Sequence, residues 1–127
     1  MAVKLLVVDD DPVTGDLLAQ CGRIARVETR AVADPRSFWA LLDSFQPTAV
    51  IVDIVMPEED GITMLRHLAS IRLRIPVVLI SAYSHTYLPA ARRLGEAYGL
   101  PIVAALPKPI TPSAFEDLVR RIEAFAG

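Results

Sequence analysis

Asp9 and Asp10 close the apolar run Val3 to Val8, Asp53 closes Ala49 to Val52, and Lys108 follows Ile102 to Leu106. If these runs are neighbouring parallel strands, a carboxylate cluster gathers at one edge of a sheet with an ammonium beside it. That is the outline of a divalent-cation and phosphoryl site. Hard Mg2+ takes oxygen ligands and keeps part of its water, so two or three carboxylates and a backbone carbonyl suffice. A carboxylate such as Asp53 can also be a nucleophile, forming an aspartyl phosphate while Mg2+ and a lysine neutralise the transferred group. Close carboxylates repel one another, so a cation or a proton must compensate them.

The elements that must position these groups alternate along the chain. Lys4 to Val8 is branched and lacks polar alternation, as in a central strand covered on both faces. Pro12 permits a helix over about 12 to 21, with Leu17 and Leu18 apolar and Gly15 weakening it. Ala25 to Thr29 reads as a short second strand nearer the sheet edge. Asp34-Pro35 is an N-cap with proline in the first turn, opening a helix to about Ser44 that carries Phe38, Leu41, Leu42 and Phe45. Ala49 to Asp53 is the third strand, followed by the loop Val55 to Gly61. In that loop Pro57 fixes φ and Gly61 tolerates positive φ. The next helix carries Ile62, Leu65 and Leu68.

Pro76 introduces the fourth strand, Val77 to Ile80, which reaches Ser81 and Ala82. A helix over about 87 to 98 follows, with Leu88, Ala91 and Leu94 inward. Ile102 to Leu106 is the fifth strand, and Thr111-Pro112 caps a last helix with the stripe Phe115, Leu118, Val119 and Ile122. Five alternating units favour an α/β fold, a three-layer open parallel five-stranded sheet whose ligands collect beyond the carboxyl ends of the strands. Asp9, Asp10, Asp53, Ser81 and Lys108 all fall at those ends.

Composition narrows the function classes. At 127 residues and 53% apolar, the chain fits one ordered domain. Thirteen basic against 15 acidic residues give a formal charge of -2, and there is no basic stripe or zinc-finger spacing, so direct nucleic-acid binding is disfavoured. Cys21 is the only cysteine, which excludes an internal disulfide. No apolar run approaches the ~20 residues of a membrane span, and the start lacks a signal-peptide cleavage region, so a cytoplasmic location without membrane contact is expected. No Gly-rich dinucleotide or phosphate loop follows the first strand.

Val7-Val8-Asp9-Asp10-Asp11-Pro12, Asp53 through Gly61, Ser81-Ala82 and Lys108-Pro109 together resemble the motifs of the response regulator receiver domain, in order and approximate spacing. The resemblance covers nearly the whole chain. It implies a flavodoxin-like strand order 2-1-3-4-5, a single receiver domain over 1–127 and no output domain within it. It also implies that Asp53 is the phosphoacceptor, that Asp9, Asp10 and Asp53 hold Mg2+ with the Val55 carbonyl contributing, and that Asp10 is a more direct ligand than Asp9. Ser81 would contact the phosphoryl group, Lys108 would bind one of its oxygens, and Asp11 would face solvent. The donor would be a histidine kinase or a histidine phosphotransfer protein. Such a chain is no conventional enzyme, though it would catalyse its own Mg2+-dependent phosphorylation and dephosphorylation.

The switch departs from the family pattern. Receivers commonly carry Tyr or Phe three residues before the conserved lysine, where this chain has Ala105. Signal transfer would then pass through residues 81 to 86, with Tyr83 or Tyr87, to a downstream protein, a separate output domain or a homodimer. The stretch Gly99 to Pro109 more weakly resembles receivers associated with cyclic-di-GMP phosphodiesterases, and the family's Lys-Pro bond, here Lys108-Pro109, is often cis. Two other readings stand beside this one: a phosphorylation-independent interaction module, and a metal-dependent phosphohydrolase that the compact length disfavours. Glu58, Glu59 and Asp60 read as a solvated loop, Met56 and Cys21 as packing residues, and His67 and His85 as surface groups. Of the neighbours Phe38 and Trp39, at least one must sit partly off the inward stripe.

Overall fold

The computed structural model describes residues 2–56, 60–82 and 87–126. In chain order the elements are β1 (Lys4–Val8), α1 (Pro12–Ala25), β2 (Glu28–Val32), α2 (Pro35–Ser44), β3 (Ala49–Asp53), α3 (Gly61–Ser70), β4 (Val77–Ser81), α4 (Tyr87–Ala97), β5 (Ile102–Pro107) and α5 (Pro112–Ala126). All strand pairs are parallel, in the order β2-β1-β3-β4-β5. The expected α/β architecture and strand order are both present.

Strand alternation builds two cores. Leu6, Val8, Val50, Val52 and Leu79 face one side with Phe38, Met64, Leu65 and Leu68 from α2 and α3. Leu5, Val7, Ile51, Val78 and Ile80 face the other, against Leu18 and Cys21 of α1 and Phe115, Leu118 and Ile122 of α5. Each of these fully buried large side chains contributes roughly 1.5–3 kcal/mol. The central strands carry apolar residues at consecutive positions because both faces are covered. β2, at the edge, exposes Glu28, Arg30 and other positions.

The structure corrects several local expectations. α1 continues to Ala25, and the second strand is Glu28–Val32 rather than Ala25 to Thr29. Gly22 permits this extension, since a Cβ there would lie 2.8 Å from the Val27 carbonyl oxygen. Arg26 then reverses the chain in the left-handed region at φ 60°. On α3, Ile62 is exposed and Met64 takes the buried place beside Leu65 and Leu68. On α4, Leu94 is half-buried and Gly95 faces inward. Gly61 has no positive φ; its role is close approach, because a Cβ would meet the Ile54 carbonyl oxygen at 2.5 Å.

Three helices start on aspartate caps, each accepting a backbone N–H: Asp11 from Val13, Asp34 from Ser37 and Asp60 from Thr63. Each cap satisfies one of the amides that the first turn of a helix leaves without a partner. The bond from the Ser37 amide holds the Asp34 carboxyl below its ordinary range, and that from Thr63 does the same for Asp60. Phe38 is buried while its neighbour Trp39 is half-buried and stacks on exposed His67 of α3, with ring centroids 3.7 Å apart at 30°.

Candidate functional site

Register brings the acids together. β1 and β3 pair with Val8 opposite Val52, so Asp9 and Asp53 stand one residue further at the carboxyl ends of adjacent central strands. β4 continues the row, with Ile80 opposite Asp53 and Ser81 opposite Pro107. The Lys108 amide donates to the Ser81 carbonyl at 2.9 Å, carrying the last ladder contact past the end of β5 and aiming the lysine at the acids. The Lys108–Pro109 peptide bond is cis.

Asp9, Asp10 and Asp53 each offer a carboxylate oxygen within 4.8 Å of the others. Asp9 and Asp53 are buried, whereas Asp10 is exposed. Asp9 Oδ1 accepts the Asp11 amide at 2.9 Å, and its Oδ2 accepts Lys108 Nζ at 2.8 Å. Asp53 Oδ1 accepts the Val55 amide at 3.0 Å, and its Oδ2 accepts Lys108 Nζ at 3.2 Å. Asp10 accepts no side-chain or backbone hydrogen bond among the described residues. Its exposed oxygens are therefore the ones most available to an incoming cation.

Burial pushes the Asp53 carboxyl up to about 7, against the Val55 amide that favours its charge, and the neighbouring Asp9 adds repulsion. Burial alone would lower the Lys108 ammonium, but the Asp9 hydrogen bond and the Asp53 and Asp9 charges outweigh it and raise it. One lysine thus incompletely compensates the cluster. A donor set of hard oxygens, clustered and short of positive charge, fits a divalent cation such as Mg2+.

Each expected site residue with described geometry lies at this end of the sheet. Val55 reaches Asp53 through its amide. Ser81 is fully buried at the end of β4. Asp11 is exposed as expected, but it has two structural tasks that were not anticipated: capping α1 and donating its amide to Asp9. The repeat of Asp34-Pro35 in Asp11-Pro12 was the available signal. Asp60 likewise caps α3 rather than merely occupying a loop. Met56 is buried, Cys21 packs against α5's core, and His67 is at the surface. Pro57, Glu58, Glu59, Tyr83, His85 and Thr86 lie outside the described residues. Ala105 is half-buried and packs against the α2–α4 core, as does Tyr87.

Residues 5–120 match the family described as the response regulator receiver domain. The chain is 31% identical over 118 residues to the C4-dicarboxylate transport transcriptional regulatory protein DctD of Pseudomonas aeruginosa, covering 93% of this chain and 24% of that protein. It is 31% identical over 124 residues to the response regulator MprA of Mycolicibacterium vanbaalenii, covering 98% of this chain and 50% of that protein. The chain thus spans half or less of these relatives' length. A response regulator from Colwellia psychrerythraea has a similar structure, with TM-score 0.78, 29% identity and coverage of 95% of this chain and 99% of that one. A CheY-like receiver domain protein from Methanospirillum hungatei superposes with TM-score 0.83 at 17% identity, covering 99% and 98%, a likeness of fold.

Proposed function

This chain belongs to the response regulator receiver domains, and from that premise we propose that it takes a phosphoryl group from a phosphohistidine onto Asp53. The observation that carries the reading is the joint contact of Lys108 with Asp9 and Asp53 at the ends of three different strands. An Asp53 oxygen forms a bond to phosphorus in line with the breaking P–N bond, and the imidazole leaves with the electron pair. Asp53 exchanges its carboxylate charge for that of the phosphoryl group. In this reading Lys108, anchored by Asp9, binds a phosphoryl oxygen and Ser81 contacts another. Asp9, Asp10 and Asp53, with the Val55 carbonyl, would hold Mg2+; when bound, the ion neutralises charge on the transferred oxygens. Hydrolysis of the acyl phosphate resets the protein.

The donor is a histidine kinase or a histidine phosphotransfer protein. The output is altered binding to a downstream protein, a separate output domain or a second copy, through population shift. Ala105 supports a second reading, an interaction module indifferent to phosphorylation, because a methyl group cannot undergo the rotamer change of an aromatic ring. The reading as a cytoplasmic protein agrees with the absence, among the described residues, of any helix long and apolar enough to cross a membrane.

Incubation with Mg2+ and acetyl phosphate followed by intact-mass measurement tests the acceptor. A single labile phosphoryl adduct in wild type and none in Asp53→Asn is expected. Lack of an adduct, together with no response to beryllofluoride, overturns it. Amide shifts between 81 and 108 on beryllofluoride addition separate a working switch from the indifferent module.

A further inference from the structure

The end of the sheet opposite the carboxylates has its own concave feature. α3 and α4 both finish there in the same backbone motif. The Arg72 amide donates to Ala69 and the Leu73 amide to Leu68; in parallel, the Gly99 amide donates to Glu96 and the Leu100 amide to Gly95. These are Schellman closures, with Arg72 at φ 56° and Gly99 at φ 85° in the left-handed position. The two loops line an open groove of about 450 Å3, with Leu73, Leu100, Pro101 and Tyr98 in its wall beside Arg72 and Arg74. That volume is typical of small-molecule sites.

The charge balance selects the ligand. Arg72 and Arg74 are exposed, neither forms an ion pair among the described residues, and no acidic residue lines the groove. The two converging helix ends present together roughly one negative charge, so two guanidiniums leave a surplus of about one positive charge. The amides of Arg72, Leu73, Gly99 and Leu100 are already engaged, and Pro101 has none. An extended peptide would therefore find few main-chain donors, and recognition falls to the side chains. We propose that this groove binds a small organic anion, with a phosphate or carboxylate held by Arg72 and Arg74 on an apolar or aromatic body against Leu73, Leu100 and Tyr98. The proposal stands independently of the phosphoacceptor site.

Amide NMR titration of the full chain at constant ionic strength without Mg2+ tests it, with phenyl phosphate, inorganic phosphate and phenol as probes. Phenyl phosphate is expected to give saturable shifts in residues 69–74 and 98–102, with a Kd of about 1 mM or tighter. Inorganic phosphate should bind at least about tenfold more weakly, since it has no body to bury, and phenol should not saturate. The double variant Arg72→Gln/Arg74→Gln should weaken phenyl phosphate at least about tenfold while leaving shifts elsewhere unchanged, and Asp53→Asn should bind as wild type. A phosphotyrosine peptide binding more tightly than phenyl phosphate would overturn the small-molecule assignment. So would non-saturable shifts equal for both phosphates, shifts insensitive to the double variant, or shifts confined to the carboxylate end.

Discussion

Lys108 is held closer to Asp9 than to Asp53, with Nζ 2.8 Å from Asp9 Oδ2 and 3.2 Å from Asp53 Oδ2. The lysine is thus anchored by an acid that need not be consumed when the acceptor changes its charge. Lys108→Met leaves both buried carboxylates without their cation. Metal-free protein should lose about 2 kcal/mol or more at pH 8, and less at pH 5 where a proton on Asp53 substitutes for the ammonium. Urea unfolding at the two pH values measures this, and equal losses would contradict it.

Asp53 also makes stability depend on pH. Its carboxyl ordinarily titrates near 3.8 and is raised to about 7 in the fold. The protonated form is favoured by folding, so its stabilising contribution is complete below about pH 4 and is lost as pH rises towards 7. The decline should be shallower in Asp53→Asn. Because a cation competes with that proton, wild-type Mg2+ affinity should fall from pH 7 to pH 5.5 more than the variant's, measured by calorimetry.

Asp10→Ala should separate metal binding from folding. The exposed carboxylate supports no hydrogen bond among the described residues, so metal-free stability should change by less than about 0.5 kcal/mol. Mg2+ affinity should drop at least about tenfold. Unchanged affinity in a calorimetric titration would remove Asp10 from the ligand set.

The acids and the central strands were legible because each strand is a continuous apolar run ending in the residue of interest. The second strand was not. Its start depends on whether α1 passes Gly22, and that is decided by the approach of Val27 and Thr29 across the fold rather than by local pattern. The spacing groups Ile62 with Leu65 and Leu68, whereas the helix is rotated so that Ile62 is exposed and Met64 fills the core. The sharing of Lys108 between two acids was also hidden, since it depends on the β4–β5 register and its irregularity at Val77/Val78.

Gly61→Ala tests close approach against backbone freedom. The added methyl must displace the Ile54 carbonyl next to Asp53, so about 1–3 kcal/mol of stability should be lost along with part of the Mg2+ affinity. Thermal unfolding and metal titration read the two effects. A neutral substitution would mean that the α3 start moves freely.

Two helix ends make an opposed pair. Gly99→Ala meets no atom within 4 Å, so its expected loss of about 1 kcal/mol comes from φ alone. Arg26→Gly relieves the same backbone conformation at φ 60° and should be neutral to about 1 kcal/mol stabilising after the unfolded chain's added freedom is counted. Denaturant midpoints of the two variants should move apart.

The stack of Trp39 on His67 joins α2 to α3, and α3 begins at the loop that follows Asp53. Trp39 is the only tryptophan in the chain. Its emission therefore comes from a single place, and the imidazole is positioned to quench it. Any sliding of one helix past the other alters the ring overlap and hence the brightness. The protein carries a built-in optical gauge of α3, readable in a stopped-flow instrument without attaching a dye.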